Sequence, residues 1–128
     1  MATISYLEYS NRDYKYAEGM FTLDYYDPCG RFCQQSVEKR LKHFIELKGS
    51  AEDLNFFHTH NLGRIYAKVC QIAGIKQDPV YRGWLSQLTD YYFETNYPAE
   101  LNIELTKEMA REALDIARQV NDWVDSII

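Results

Sequence analysis

Three histidines, His43, His58 and His60, are the side chains in this chain best suited to moving protons, because imidazole titrates near neutrality without help. His60 has Asn61 beside it and Arg64 one helical turn further on, so a proton carrier and a cation that could hold a phosphate fall together. Cys29 and Cys33 are four residues apart and could in principle join His58 and His60 on a metal. Packing as small apolar residues is the competing reading. With Cys70 the cysteines make an odd, sparse set lacking a Cys-x-x-Cys pair, which fits free thiols in a reducing compartment, and no metal or cofactor is expected. The chain contains no phosphate-loop, dinucleotide, His-Glu-x-x-His or nucleophile-elbow motif, so those chemistries have no support in the sequence.

Composition narrows the classes further. The chain has 128 residues, 46% hydrophobic and 26% charged, which fits one domain over 1–128 with one core. A net charge of -5 argues against a protein that wraps duplex DNA, since phosphate contacts need many cations on one face. No apolar run is long enough to span a bilayer and no secretory leader pattern opens the chain, so a cytoplasmic location is expected.

These residues must be positioned by helices. Phe32–Lys48 carries Cys33, Val37, Leu41, Phe44 and Ile45 at steps of three and four, the period of a helix with one buried face. Gln34, Gln35, Glu38, Lys39 and Lys42 occupy its other sides, which are expected to be wet. Before it, a helix is expected over about Arg12 to Tyr26, broken by Asp27-Pro28 and a turn at Cys29-Gly30, with residues 1–10 as a loose arm. Gly49 should end the organising helix with a positive φ, and a helical turn is expected around Ala51 to Phe56. A third helix should begin near His60 or Asn61, bury Leu62, Ile65, Tyr66, Val69 and Ile72, and stop at Gly74. Asp78-Pro79 opens a fourth, with Val80, Trp84, Leu88, Tyr91 and Tyr92 inward. Thr106 caps a last helix whose inner face is Met109, Ala113, Leu114, Ala117, Val120 and Val124. Nothing alternates with period two, so the fold class is all-α: an antiparallel bundle of four long helices with a short fifth.

The stretch QQSVEKRLK, Gln34 to Lys42, resembles the QQAxEKxLK signature of the second helix in HEPN domains. His60-Asn61-Leu62 is similar to that family's His-Asp-Leu, and Asn96-Tyr97-Pro98 to its Arg-Tyr-Pro; a Tyr- and Asp-rich first helix precedes them in the family's order. The resemblance implies a helical bundle that pairs into dimers and engages nucleotides or RNA at a cleft. It also implies, as a partner, a minimal nucleotidyltransferase in a toxin-antitoxin pair. Active members are metal-independent ribonucleases with a His four to six residues after an Arg. None of Arg12, Arg31, Arg40, Arg64, Arg82, Arg111 or Arg118 has a His at that offset, and Asn96 stands where relatives carry Arg. The reading is therefore a catalytically degenerate binding module, with Lys39, Lys42, His60, Asn61, Arg64, Asn96 and Tyr97 as candidate ligand positions. The alternatives are an active ribonuclease using His60 and a purely structural interaction domain. Tyr91, Tyr92, Phe93 and Tyr97 cannot all point inward on one helix, which suggests a homodimer interface or a base-stacking platform near that end.

Overall fold

In the computed structural model, residues 4–96 and 104–128 are described, with backbone alone at 54–56 and 94–96. Among these residues five α-helices form an all-α bundle: α1 (Tyr6–Thr22), α2 (Tyr26–Lys48), α3 (Leu62–Ala73), α4 (Pro79–Asn96) and α5 (Lys107–Ile127), with a 3-10 segment over Ala51–His58. Helix α2 packs on all four others. Consecutive helices α1/α2 and α3/α4 run antiparallel, while α5 returns beside α2 in its own direction. The pairs Ser36 with Asn121 and Arg40 with Asp125 record that register.

Two helix starts differ from expectation for the same reason: capping decides where a helix begins, and hydrophobic period does not register a cap. Ser5 accepts the Glu8 N–H at 3.1 Å and donates to its carboxylate, a Ser-x-x-Glu arrangement that starts α1 six residues early. Residues 6–10 are thus helix rather than a loose arm, and Ser10 is buried, its hydroxyl donating to the Ser36 carbonyl at 2.7 Å. The break falls at Leu23 to Tyr25, where Asp24 has a φ of 63°. Pro28 lies in the first turn of α2, where its missing N–H loses no hydrogen bond. Asp27-Pro28 and Gly30 are therefore inside α2 instead of breaking the chain before it.

The core face of α2 is as the period predicts: Cys33, Val37, Leu41, Phe44 and Ile45 are all buried. Its other sides are not wet. Gln34, Ser36, Glu38, Arg40 and Lys42 are also buried, because neighbours surround α2 on every side and the polar groups bond to one another. Ser10, Ser36, Arg40, Asn121 and Asp125 tie α1, α2 and α5 together, with Arg40 gripping both Asp125 oxygens at 2.7 Å. Three free cysteines are buried, as packing residues would be.

At the end of α2, Gly49 has an extended φ of -85°, not the positive value expected. Glycine is required there by crowding: a Cβ would lie 2.7 Å from the Ile45 carbonyl and 2.8 Å from Asp53 Oδ2. Gly74 does end α3 in the left-handed region, at φ 68°. On α3, Leu62, Ile65, Tyr66 and Val69 are buried and Ile72 half-buried. On α4 the inner face is Leu85, Leu88 and Tyr91, and Val80, expected inside, is 56% exposed. Helix α5 buries Ala113, Ala117, Val120 and Val124 as expected, with Met109 and Leu114 half-buried.

Candidate functional site

Glu38, in the middle of α2, gathers much of the motif that the sequence singles out. One carboxylate oxygen meets His60 Nδ1 at 2.8 Å and accepts from Gln34 Nε2 at 3.1 Å; the other accepts from Lys42 Nζ at 2.9 Å. Gln34 also donates to the His60 carbonyl at 3.2 Å and accepts from Gln35. Lys42, nearly fully buried, gives a further hydrogen bond to the Phe57 carbonyl at 2.9 Å. This cluster locks the turn before α3 onto α2. A carboxylate only accepts, so Nδ1 of His60 is the donor and a neutral ring leaves Nε2 as a free acceptor. The His60 side chain is 47% exposed and its ring lies 5.4 Å from that of Tyr92, tilted by 33°.

Next to His60 the chain turns into α3. Asn61 caps the helix, its Oδ1 accepting the Arg64 N–H at 3.1 Å, and the Leu62 N–H reaches Thr89 Oγ1 on α4 at 3.3 Å. Between α3 and α4 lies a cavity of about 430 Å³ whose lining includes Asn61, Arg64, Arg82, Ser86, Thr89 and Asp90. It continues into a second hollow of about 440 Å³ that shares Arg64, Ala67 and Gln77. Arg82, Ser86 and Asp90 recur at steps of four, which places them on one stripe of α4 facing this groove. The side chains of Arg64, Arg82 and Asp90 make no ion pair or hydrogen bond among the described residues. Gln77 Oε1 is enclosed without a hydrogen-bond partner among the described residues. Two guanidinium groups without a partner among the described residues, with the Ser86 hydroxyl between the walls, suit a phosphorylated ligand.

Of the expected site residues, Asn61 and Arg64 line this groove, and His60 precedes them in the turn before α3 without lining it. Lys42 is joined to them through Glu38, yet its ammonium is enclosed and cannot reach a ligand. Lys39 points to α1, where its Nζ sits 2.6 Å from Asp13 Oδ2 and 5.4 Å from the Tyr9 ring centre. Asn96 is the last residue of α4 and its side chain, like all of Tyr97, falls outside the described residues. Cys29 and Cys33 are buried on α2, with Cys29 Sγ 3.9 Å from the Ala110 carbonyl of α5, and no group of three metal-ligating side chains converges among the described residues. Burial pushes the Cys33 thiol well above its ordinary range, which fits an inert packing role. Sequence reasoning missed Arg82, Ser86 and Asp90. Their four-residue spacing was legible, but as a polar stripe it was overshadowed by the apolar face.

The model of one protein family, described as HEPN domain, matches residues 5–127 of this chain. Among solved structures, that of TT1696 from Thermus thermophilus superposes with a TM-score of 0.80 at 22% identity, covering 96% of this chain and 95% of that one. ST0689, described as an archaeal HEPN homologue, superposes with a TM-score of 0.70 at 17% identity, covering 94% and 93%. No curated protein matches.

Proposed function

Since this chain belongs to the HEPN domain family, we propose that it is a nucleotide- or RNA-binding module that holds its ligand in the α3–α4 groove without cutting it. The observation that carries this reading is the pair of arginines, Arg64 and Arg82, that line one groove with no carboxylate partner among the described residues. An unpaired guanidinium is best satisfied by a phosphate, which it meets through two parallel hydrogen bonds. His60 and Tyr92 extend the site with rings on which a base can stack. The degenerate reading is supported by the sequence, where no Arg is followed by His at four to six residues.

A second reading, cleavage by His60, draws support from its Nδ1 contact with Glu38, which orients a half-exposed ring. Incubation with single-stranded RNA separates the two. The binding reading expects a shifted complex and RNA of unchanged length; cleavage that disappears in His60→Ala would establish the second reading instead. Partners follow from the resemblance: we propose a homodimer that works beside a minimal nucleotidyltransferase in a toxin-antitoxin pair. Co-purification with such a protein, expressed together with this chain, is the test.

A further inference from the structure

We infer that the groove between α1 and α5 is a second ligand site, for a small neutral molecule that presents an amide or lactam group to Asn121 and Asn11. The inference is independent of the nucleotide-binding reading above. Helices α1 and α5 both pack on α2 and touch each other far less, which leaves a cavity of about 350 Å³ between them. Asn11, Tyr14 and Lys15 line it from α1, Arg118 and Asn121 from α5, and Arg40 from α2. Two of these polar groups are buried: Asn121 is 5% exposed and Arg40 6%.

Hydrogen bonds assign the orientation of both amides. Ser36 gives its hydroxyl hydrogen to the Ser10 carbonyl at 2.8 Å, so its oxygen can only accept from Asn121, at 3.0 Å. Nδ2 of Asn121 is therefore the atom tied to α2, and a flipped amide would set two acceptors together. That leaves Oδ1 as an acceptor, enclosed with no hydrogen-bond partner among the described residues. A buried acceptor left unmet costs stability, so this atom calls for a donor. Across the cavity the arrangement is reversed. Arg40 only donates, and its bond to Asn11 Oδ1 leaves the Asn11 NH2 group as a donor. An acceptor on one wall and a donor on the other complement a group carrying both N–H and C=O. The charges favour a neutral molecule. Arg40 is paired with Asp125 and Arg118 lies 3.7 Å from Asp115, while Lys15, Glu18 and Asp122 are exposed and of mixed sign. Half-buried Tyr14 adds an aromatic wall, the usual complement to a few placed polar groups in a small-molecule pocket.

Proton–nitrogen NMR spectra of the full chain, titrated with 2-pyridone and with N-methyl-2-pyridone, test this, because the methyl group replaces the N–H and leaves the carbonyl and ring in place. 2-Pyridone is expected to shift the Asn121 and Asn11 side-chain amide signals and the Tyr14 backbone signal saturably. The N-methyl compound should bind about tenfold weaker, the ratio that one hydrogen bond of ordinary strength supplies. Asn121→Leu, with an unchanged circular-dichroism spectrum, should bind the two compounds equally. Asn11→Ala, at an exposed position, should weaken 2-pyridone and keep the preference for the N–H. Equal affinity of the two compounds for wild type would overturn the inference, as would shifts confined to α3 and α4. No saturable shift from either compound, with the Asn121 amide in contact with a bound water alone, would overturn it too.

Discussion

Glu38 is the residue on which the signature motif converges, and its surroundings set what its loss should do. Both it and Lys42 are 3% exposed, so Glu38→Ala would leave an ammonium buried with only the Phe57 carbonyl. Removing one partner of such a pair costs about 3–5 kcal/mol, since the survivor keeps its desolvation without its counter-charge. Urea unfolding should show this drop, and Glu38→Gln should recover part of it, since its one amide oxygen can still accept from Lys42. His43, on the same helix, gives a pH dependence. Burial, and then the Arg40 guanidinium, lower its pKa below the ordinary value, against opposing pulls from Glu46 and Asp125. The unfolded chain then binds the proton first. Its stabilising contribution is complete above about pH 6.5 and is lost as pH falls through that value toward the lower folded pKa. His43→Gln should therefore have a shallower loss of stability between about pH 7.5 and 5.5 than wild type. Equal slopes would contradict this placement of His43. At this scale the sequence says which residues are chemically capable but not which of them meet. The His60 to Glu38 contact spans 22 residues and leaves no periodic trace, so the motif's glutamate passed for a solvated position.

At the scale of elements, hydrophobic period was a reliable guide to the inner faces of α2, α3 and α5. It was unreliable at the starts of α1 and α2, where a Ser5 cap and a first-turn proline decide. Leu41→Ala tests the central face: Leu41 is fully enclosed between Val37 and Phe44, and truncation of a buried leucine costs roughly 2–5 kcal/mol. A denaturation midpoint equal to wild type would mean that α2 presents another face. Gly49→Ala tests the join between α2 and the 3-10 segment. The added Cβ would push Asp53, whose carboxylate accepts the Ser50 N–H at 2.8 Å and meets Lys68 Nζ at 2.8 Å. A loss of about 1–3 kcal/mol is expected from this overpacking, and Gly19→Ala, where nothing lies within 4 Å, should not reproduce it. The polar stripe of α4 was the element least legible in the sequence, because a stripe of Arg, Ser and Asp reads as ordinary solvated surface until a facing helix turns it into a groove wall.

For the whole molecule, the all-α bundle was legible because every helix carries its own period, and the family resemblance agreed with it. Assembly is a separate matter. Of the aromatic group at the end of α4, Tyr91 is 7% exposed and belongs to the core, Tyr92 is half-buried beside His60, Phe93 is 43% exposed, and Tyr97 lies outside the described residues. The Phe93 ring meets that of Tyr92 edge to face, with centroids 5.3 Å apart. Dimerisation predicts light-scattering masses near twice 15.1 kDa at micromolar concentration, and a mass fixed at one chain would remove that proposal. No helix among the described residues is long and apolar enough to cross a membrane. The central claim is that Arg64 and Arg82 hold the phosphates of a ligand, and its most direct test is the salt dependence of single-stranded RNA binding by wild type and by Arg64→Ala/Arg82→Ala. Two lost phosphate contacts, at about 0.7 each on a single strand, should reduce the slope of log affinity against log salt by about 1.4 and weaken binding at every salt concentration. Binding of equal strength and slope in the two proteins would contradict the account.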